Sequence, residues 1–150
     1  MAWITPVTDR TDGARHTLTD QNRIAGNLDW LATETSARQL YSGPTITKTA
    51  YTYNDYITVN EWANILEVLT ALQSALNIEA TETATNDMTW QNMNTVESLT
   101  LAVYERYQKL LAQANINHYS GDGSYTMDGT GAIYAGGLLI LKGWKYNGCC

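Results

Sequence analysis

The sequence has no phenylalanine, only two prolines, and only two cysteines, Cys149 and Cys150, which are adjacent. Neighbouring cysteines close a strained small ring, and no other cysteine is present to pair with them, so a disulfide framework is excluded. A redox or metal-binding pair would need further ligands at suitable spacing, which the sequence lacks. We expect a reduced pair, with an intermolecular disulfide as the alternative.

Basic residues are also scarce. Nine lysines and arginines stand against fifteen acidic residues, which gives a net charge of −6 and a pI near 4.7. Nucleic-acid-binding proteins carry a basic stripe that neutralises phosphates, and an anionic membrane repels an acidic chain. We therefore expect neither nucleic acid nor membrane among the partners.

Long apolar runs are missing as well. The longest, residues 132–141, has about half of the ~20 residues that cross a bilayer. The first residues show no basic stretch followed by an apolar core, so no secretory signal is predicted. We expect a soluble protein made in the cytoplasm without export.

What the sequence does have is helical periodicity in three segments. Apolar residues recur every three or four positions, which predicts amphipathic helices over 18–37, 59–78 and 94–114 whose stripes cover one another. The stripes are formed by Leu18, Ile24, Leu28 and Leu31; by Trp62, Ile65, Leu66, Leu69, Leu72 and Leu76; and by Val96, Leu99, Val103, Leu110 and Leu111.

Each segment carries a signal for a helix start. Thr58 with Glu61, and Asn94 with Glu97, have the spacing of a capping box, in which side chains and backbone N–H groups of the first turn bond reciprocally. Asp20, or the threonine before it, is expected to open the first helix. These five residues are the predicted helix caps.

The three helix starts also share a pattern. Each has a capping-type residue, an asparagine two positions later and an apolar residue two positions beyond that, which predicts a degenerate internal repeat. The three matches are Asp20, Asn22 and Ile24; Thr58, Asn60 and Trp62; and Asn92, Asn94 and Val96.

The rest of the chain differs from these helices. Residues 45–53 alternate like a strand or an extended arm, and eight of the eleven glycines follow His118. We expect a helical domain over 1–118 and a glycine-rich segment over 119–150 that forms short strands and tight turns. The predicted fold is mainly α, a three-helix bundle-like core with an extended arm and a small C-terminal β element.

The glycine-rich segment is the predicted docking surface. Its apolar run is too continuous for a strand with one face in water, so its own helices or another subunit should cover it. Tyr and Trp suit interfaces or sugar-binding platforms, although here they could equally replace phenylalanine in the core. The candidate interface residues are Tyr134, Leu138, Leu139, Ile140, Leu141, Trp144 and Tyr146.

No catalytic motif is found. The sequence lacks a nucleophile elbow, a P-loop and a zinc-binding helix. His16 and His118 have no ligand spacing and are expected to be solvated or capping residues, and acidic pairs such as Glu61 and Glu67 are expected to be surface charge. We predict no metal, no cofactor and no enzymatic activity.

Two motifs carry a resemblance. Residues 3–9 read W-x-T-P-x-T-D, and residues 22–31 read N-R-I-x-x-N-x-x-x-L. The chain thus resembles small structural proteins of Gram-positive phages and prophages that are associated with tail-fibre or baseplate components. Asn94 to Glu97 fits the related helix start, N-x-I-E, that recurs later in such chains.

The resemblance implies a non-enzymatic assembly component of a virion, tail or tail-like particle. Its partners would be other virion or tail proteins and copies of itself, and its location would be the phage particle. The alternative is a carbohydrate-binding module that uses exposed Tyr and Trp side chains to hold a cell-surface glycan.

Overall fold

The computed structural model describes the backbone of residues 2–121, 133–135 and 138–140, and the side chains of residues 2–114. Three helices occupy most of this part: α1 (Leu18–Ala37), α2 (Val59–Ala75) and α3 (Trp90–Gly121). Two short strands follow, β1 (Ile133–Ala135) and β2 (Leu138–Ile140). The prediction of a mainly α fold with three packed helices is confirmed.

The chain divides into two compact units, Met1–Arg106 and Tyr107–Cys150. The division falls inside α3, whereas the sequence placed the boundary after residue 118, where the glycine content rises. The second unit contains the end of α3 and a hairpin in which β1 pairs antiparallel with β2, with Tyr134 opposite Leu139.

In the first unit the three helices run parallel. Arg23 contacts Glu97, and Trp30 contacts Tyr104. Both pairs are 74 positions apart in the sequence, so α1 and α3 run in the same direction. At the far end, the Arg106 side chain donates to the carbonyl of Leu76, just beyond the end of α2. All three helices therefore begin at one end of the unit.

Parallel helices need long connections, because the chain must return to the starting end each time. A helix of the length of α2 is about 26 Å long, and the 14 residues between α2 and α3 span at most about 50 Å when extended. Neither connection contains a strand among the described residues. Residues 45–53 thus form the extended arm of the prediction.

The core is formed by most of the predicted stripe residues, but Leu18, Leu66, Leu110 and Leu111 are only half-buried. Trp62, Ile65, Leu69 and Leu72 are buried, as expected from their helical spacing, but Leu66 is only half-buried and lies at the edge of the stripe. The buried residues of α1 and α3 follow the same period: Ile24, Leu28, Leu31, Val96, Leu99 and Val103.

The ends of α1 and α2 are set by local backbone geometry. Gln39 and Asn77 adopt φ values of 60° and 53°. The next residue in each case, Leu40 or Ile78, donates to a helix carbonyl at 2.9 Å, the pattern of a Schellman motif. This left-handed turn ends α2 at Ala75, three residues before the predicted end.

Candidate functional site

The three helix starts follow one pattern. A threonine precedes each helix (Thr17, Thr58 and Thr89), and its hydroxyl accepts from the backbone N–H of the third helical residue. At the second helix Thr58 and Glu61 form the predicted capping box with both reciprocal bonds. That prediction is confirmed.

Three of the predicted caps, Asp20, Asn94 and Glu97, play other roles. Asp20 does not open α1; it is the third helical residue, and its carboxylate accepts from the backbone N–H of the true cap, Thr17, at 3.0 Å. The box predicted for Asn94 and Glu97 is wrong, because α3 begins four residues earlier at Trp90. Both residues face the segment before α1 and bind it.

The fourth residues of the three helices converge on His16. Its Nε2 is 2.8 Å from Gln21 Oε1, its Nδ1 faces the sulfur of Met93, and its ring meets Trp62 edge-on with centroids 5.9 Å apart. Burial lowers the pKa of the imidazole, which the Gln21 hydrogen bond opposes. His16 is thus a half-buried packing residue and not a solvated or capping one.

Next to His16 lies a charged cluster made of Arg10, Asp20, Arg23 and Glu97. Arg23 donates to Glu97 at 2.9 and 2.7 Å and to Asp20 at 2.5 Å, and Arg10 donates to Asp20 at 2.7 Å and also to Glu97. The side chains are 1–12% exposed. Two positive and two negative charges are therefore buried together with no net charge.

Every carboxylate oxygen of the cluster has two donors. Glu97 Oε2 accepts from Arg23 and from the backbone N–H of Val7 at 2.7 Å, and Asp20 Oδ2 accepts from the Thr17 backbone and hydroxyl. Burial alone would raise the pKa of Asp20, but the hydrogen bonds from Thr17, Arg10 and Arg23 outweigh it and hold the pKa well below its usual range.

The cluster is therefore suited to binding the protein's own chain. A general base needs a free lone pair and a pKa near the working pH, and neither carboxylate has a lone pair free. Hydrogen bonds to Glu97 and Asp20 likewise raise the pKa of Arg23, so that it stays charged. What the cluster does is tie residues 7–10 to α1 and α3.

Asparagine side chains fix the same segments along their length. In each of four asparagine clasps, the amide oxygen accepts from the backbone N–H of one residue and the amide nitrogen donates to the carbonyl of that residue. The clasps are Asn22 with Tyr51, Asn27 with Ile4, Asn92 with Thr85 and Asn94 with Arg10.

A clasp substitutes for a strand partner. A side-chain amide offers the same donor and acceptor as a peptide group, so an extended segment satisfies its backbone without pairing with a strand. Asn64 acts similarly on the arm by accepting from Thr47 at 2.9 Å and donating to Thr45 at 3.1 Å. The three segments before the helices are all held in this way.

The clasps explain the predicted repeat of asparagines at two of the three helix starts. Asn22 and Asn94 are both the fifth residue of their helices, and both form clasps. Asn60, the proposed equivalent in α2, is the second residue and is exposed. The alignment is right for α1 and α3 and wrong for α2.

Aromatic stacking completes the attachment of the N-terminal segment. The Trp3 ring stacks on Tyr104 with centroids 4.0 Å apart and 10° between the planes, and tilts against Trp30 at 6.0 Å. Trp30 itself is half-buried, in contrast to the fully buried Trp62. Residues 3 to 16 therefore run along α1 as far as Trp30 and along α3 as far as Tyr104.

The candidate interface residues are only partly within the described chain. Tyr134 lies in β1, and Leu138, Leu139 and Ile140 form β2; their side chains are not among those described. The predictions for Leu141, Trp144 and Tyr146 fall outside the described residues; His118 lies in α3, and its side chain, expected to be solvated or capping, is not among those described.

Among the described residues, no group of three or more His, Cys, Asp and Glu side chains is placed to hold a metal ion. No described helix is long and apolar enough to span a membrane. Comparison with family models, with curated proteins and with solved structures finds no match.

Proposed function

We propose that this protein is a non-enzymatic assembly component of a phage tail, baseplate or fibre, or of a phage-tail-like particle. The observation that carries the proposal is the position of the residues behind the resemblance. Trp3, Asn22 and Asn27 attach connecting segments to the helices, and Arg23 joins α1 to α3. The likeness to phage structural proteins thus concerns the residues that build the framework.

The chemistry of the charged cluster supports a passive role for the first unit. Its carboxylates are saturated by donors from the same chain, so binding a substrate there would require breaking the attachment of the N-terminal segment. A particle component gains from such a framework, because it must keep one shape while it makes contacts elsewhere. The expected place of the protein is the virion or tail-like particle.

Docking is assigned to the C-terminal segment. Its apolar run, 138–141, and its aromatic residues Tyr134, Trp144 and Tyr146 have the composition of interface cores. The partners are then other particle proteins or further copies of this chain.

The test uses virions or tail-like particles purified from the organism that encodes the chain. We expect the tagged full-length protein to co-sediment with purified tails or virions, and the variants Leu139→Asp and Trp144→Ala/Tyr146→Ala to be depleted from them while their urea unfolding stays unchanged. Particles that lack the protein would refute the particle role. Undiminished incorporation of both variants would refute docking through this segment alone.

A further inference from the structure

The most exposed aromatic residues of the described chain lie together on one turn of the arm. Tyr53 is 97% exposed and Tyr56 is 89% exposed, although a buried Tyr contributes a large apolar area to stability. Scattered exposed apolar residues are ordinary, but two exposed aromatic residues that line one cavity indicate a binding surface. Within the described part of the chain, neither tyrosine hydroxyl has a hydrogen-bond partner.

The turn that presents these rings is fixed. Asp55 accepts from the backbone N–H and hydroxyl of Thr52 at 2.6 and 2.7 Å, and its own N–H donates to the Thr52 carbonyl at 3.0 Å. Lys48 donates to Asp55 at 2.7 Å and lies 4.6 Å above the ring of Tyr51, which the clasp with Asn22 holds. Binding would therefore order the two exposed tyrosine side chains but little of the backbone that carries them.

The two rings border a cavity of about 240 Å³ between this turn and the start of α1. Its lining includes His16, Thr17, Tyr51, Tyr53, Asp55 and Tyr56. Pockets for drug-sized molecules run to roughly 300–1,000 Å³, so this cavity suits a ligand of one or two rings. A folded protein partner would need a broader surface, about 800 Å² on each side.

The charges around the cavity select the ligand class. Asp55, Glu61 and Lys48 lie within one network, with Lys48 Nζ 2.7 Å from Asp55 and 3.8 Å from Glu61. They leave one net negative charge on this part of an acidic protein, which disfavours phosphate-bearing or carboxylate-bearing ligands. A neutral ligand with an apolar face for the rings and hydroxyls for the free phenol groups fits best.

A pyranose ring has these properties, since one face presents C–H groups and its rim presents hydroxyls. We propose that Tyr53 and Tyr56, with the cavity beside them, bind a neutral saccharide of hexose or N-acetylhexosamine units. The proposal involves residues other than the C-terminal aromatic set, and it does not depend on incorporation into a particle.

The test is a printed array of neutral and acidic oligosaccharides probed with the full-length protein, followed by titration calorimetry on the glycans that bind. We expect binding to neutral glycans, at least a tenfold weaker affinity for Tyr53→Ala/Tyr56→Ala, and most of the affinity kept by Tyr53→Phe/Tyr56→Phe. The matched control is Met88→Ala, an apolar residue 39% exposed and outside the cavity lining, which should bind like the parent.

Both tyrosines are exposed, so the double alanine variant should unfold at the same urea concentration as the parent. Three results would overturn the proposal: no binding to any neutral glycan, binding only to acidic glycans, or equal affinity of the parent and the double alanine variant.

Discussion

The buried faces of α1 and α2 differ in composition. The buried residues of α1 include Asp20, Gln21, Arg23, Asn27 and Thr35, whereas those of α2 are apolar apart from one glutamine. The buried face of α1 thus combines directed hydrogen bonds with an apolar stripe, whereas the buried face of α2 is almost entirely apolar area removed from water.

The difference bears on how the parallel arrangement is specified. An apolar stripe accepts a neighbour in several registers, because burial is non-directional. Arg23 and Glu97 bond well in one register only, and the backbone of residues 7–10 must lie across them. We infer that the charged cluster and the clasps fix the register, while the apolar stripes of all three helices supply the non-directional stabilisation.

The largest effect is expected from Glu97→Gln. This change places an amide N–H against buried N–H donors and leaves the cluster with one net positive charge, because Asp20 alone then faces both Arg10 and Arg23; the cost is about 3–5 kcal/mol. Urea unfolding of the full-length protein measures it. Glu105→Gln, an exposed position on the same helix, should change stability by less than about 0.5 kcal/mol; similar losses for both variants would contradict the charged cluster.

On the apolar side, Leu69→Ala should destabilise by about 2–5 kcal/mol, since it leaves a cavity in the core. Leu66→Ala is the matched comparison in the same helix, and it should cost clearly less because Leu66 is only half-buried. Urea unfolding again gives both values. If both variants lose the same free energy of unfolding, the assignment of Leu69 to the buried face of α2 and of Leu66 to its edge is wrong.

An intermediate effect is expected from the clasps. Asn27→Ala removes both partners of the Ile4 backbone and should cost about 1–3 kcal/mol. Hydrogen exchange should show the loss of amide protection first in residues 3–7. Asn60→Ala, at an exposed position, should leave exchange and stability as in the parent, and faster exchange throughout the helices would argue against a local attachment.

The smallest effect concerns pH. Burial holds the pKa of His16 below its ordinary value of 6.5, so the folded state favours neutral imidazole. The contribution of His16 to the free energy of unfolding is complete above pH 6.5 and is lost as the pH falls below that value. The depressed pKa of Asp20 acts in a lower range, with its contribution present above the ordinary value of 3.8 and lost as the pH falls below it.

The comparison with His16→Gln isolates the histidine. Between pH 7 and 5.5 the parent should lose stability more steeply than the variant, as measured by urea unfolding at a series of pH values. If the stability of the two proteins changes with pH in parallel over that range, the protonation of His16 does not affect stability, and the prediction is wrong.

Much of the fold was predictable because it depends on local spacing. Leucines three and four positions apart marked the buried face of α2, and Thr58 with Glu61 marked its start. Asn94 and Glu97 misled for a physical reason: the same pair of side chains can cap a helix or bind another segment, and only the neighbouring chain decides which. Arg10 gave no local signal at all, because its partners are 10 and 87 residues away.

The amino-acid sequence by itself determined the three helices, their apolar stripes and the break in composition before the glycine-rich segment, because these follow from short-range periodicity and from the conformations that each residue type allows. The parallel order of the helices, the meeting of their fourth residues at His16, the charged cluster and the clasps were decided only in the tertiary structure. Each of these features joins residues far apart in the chain, and the energy of a buried charge or amide depends on partners that no local pattern contains.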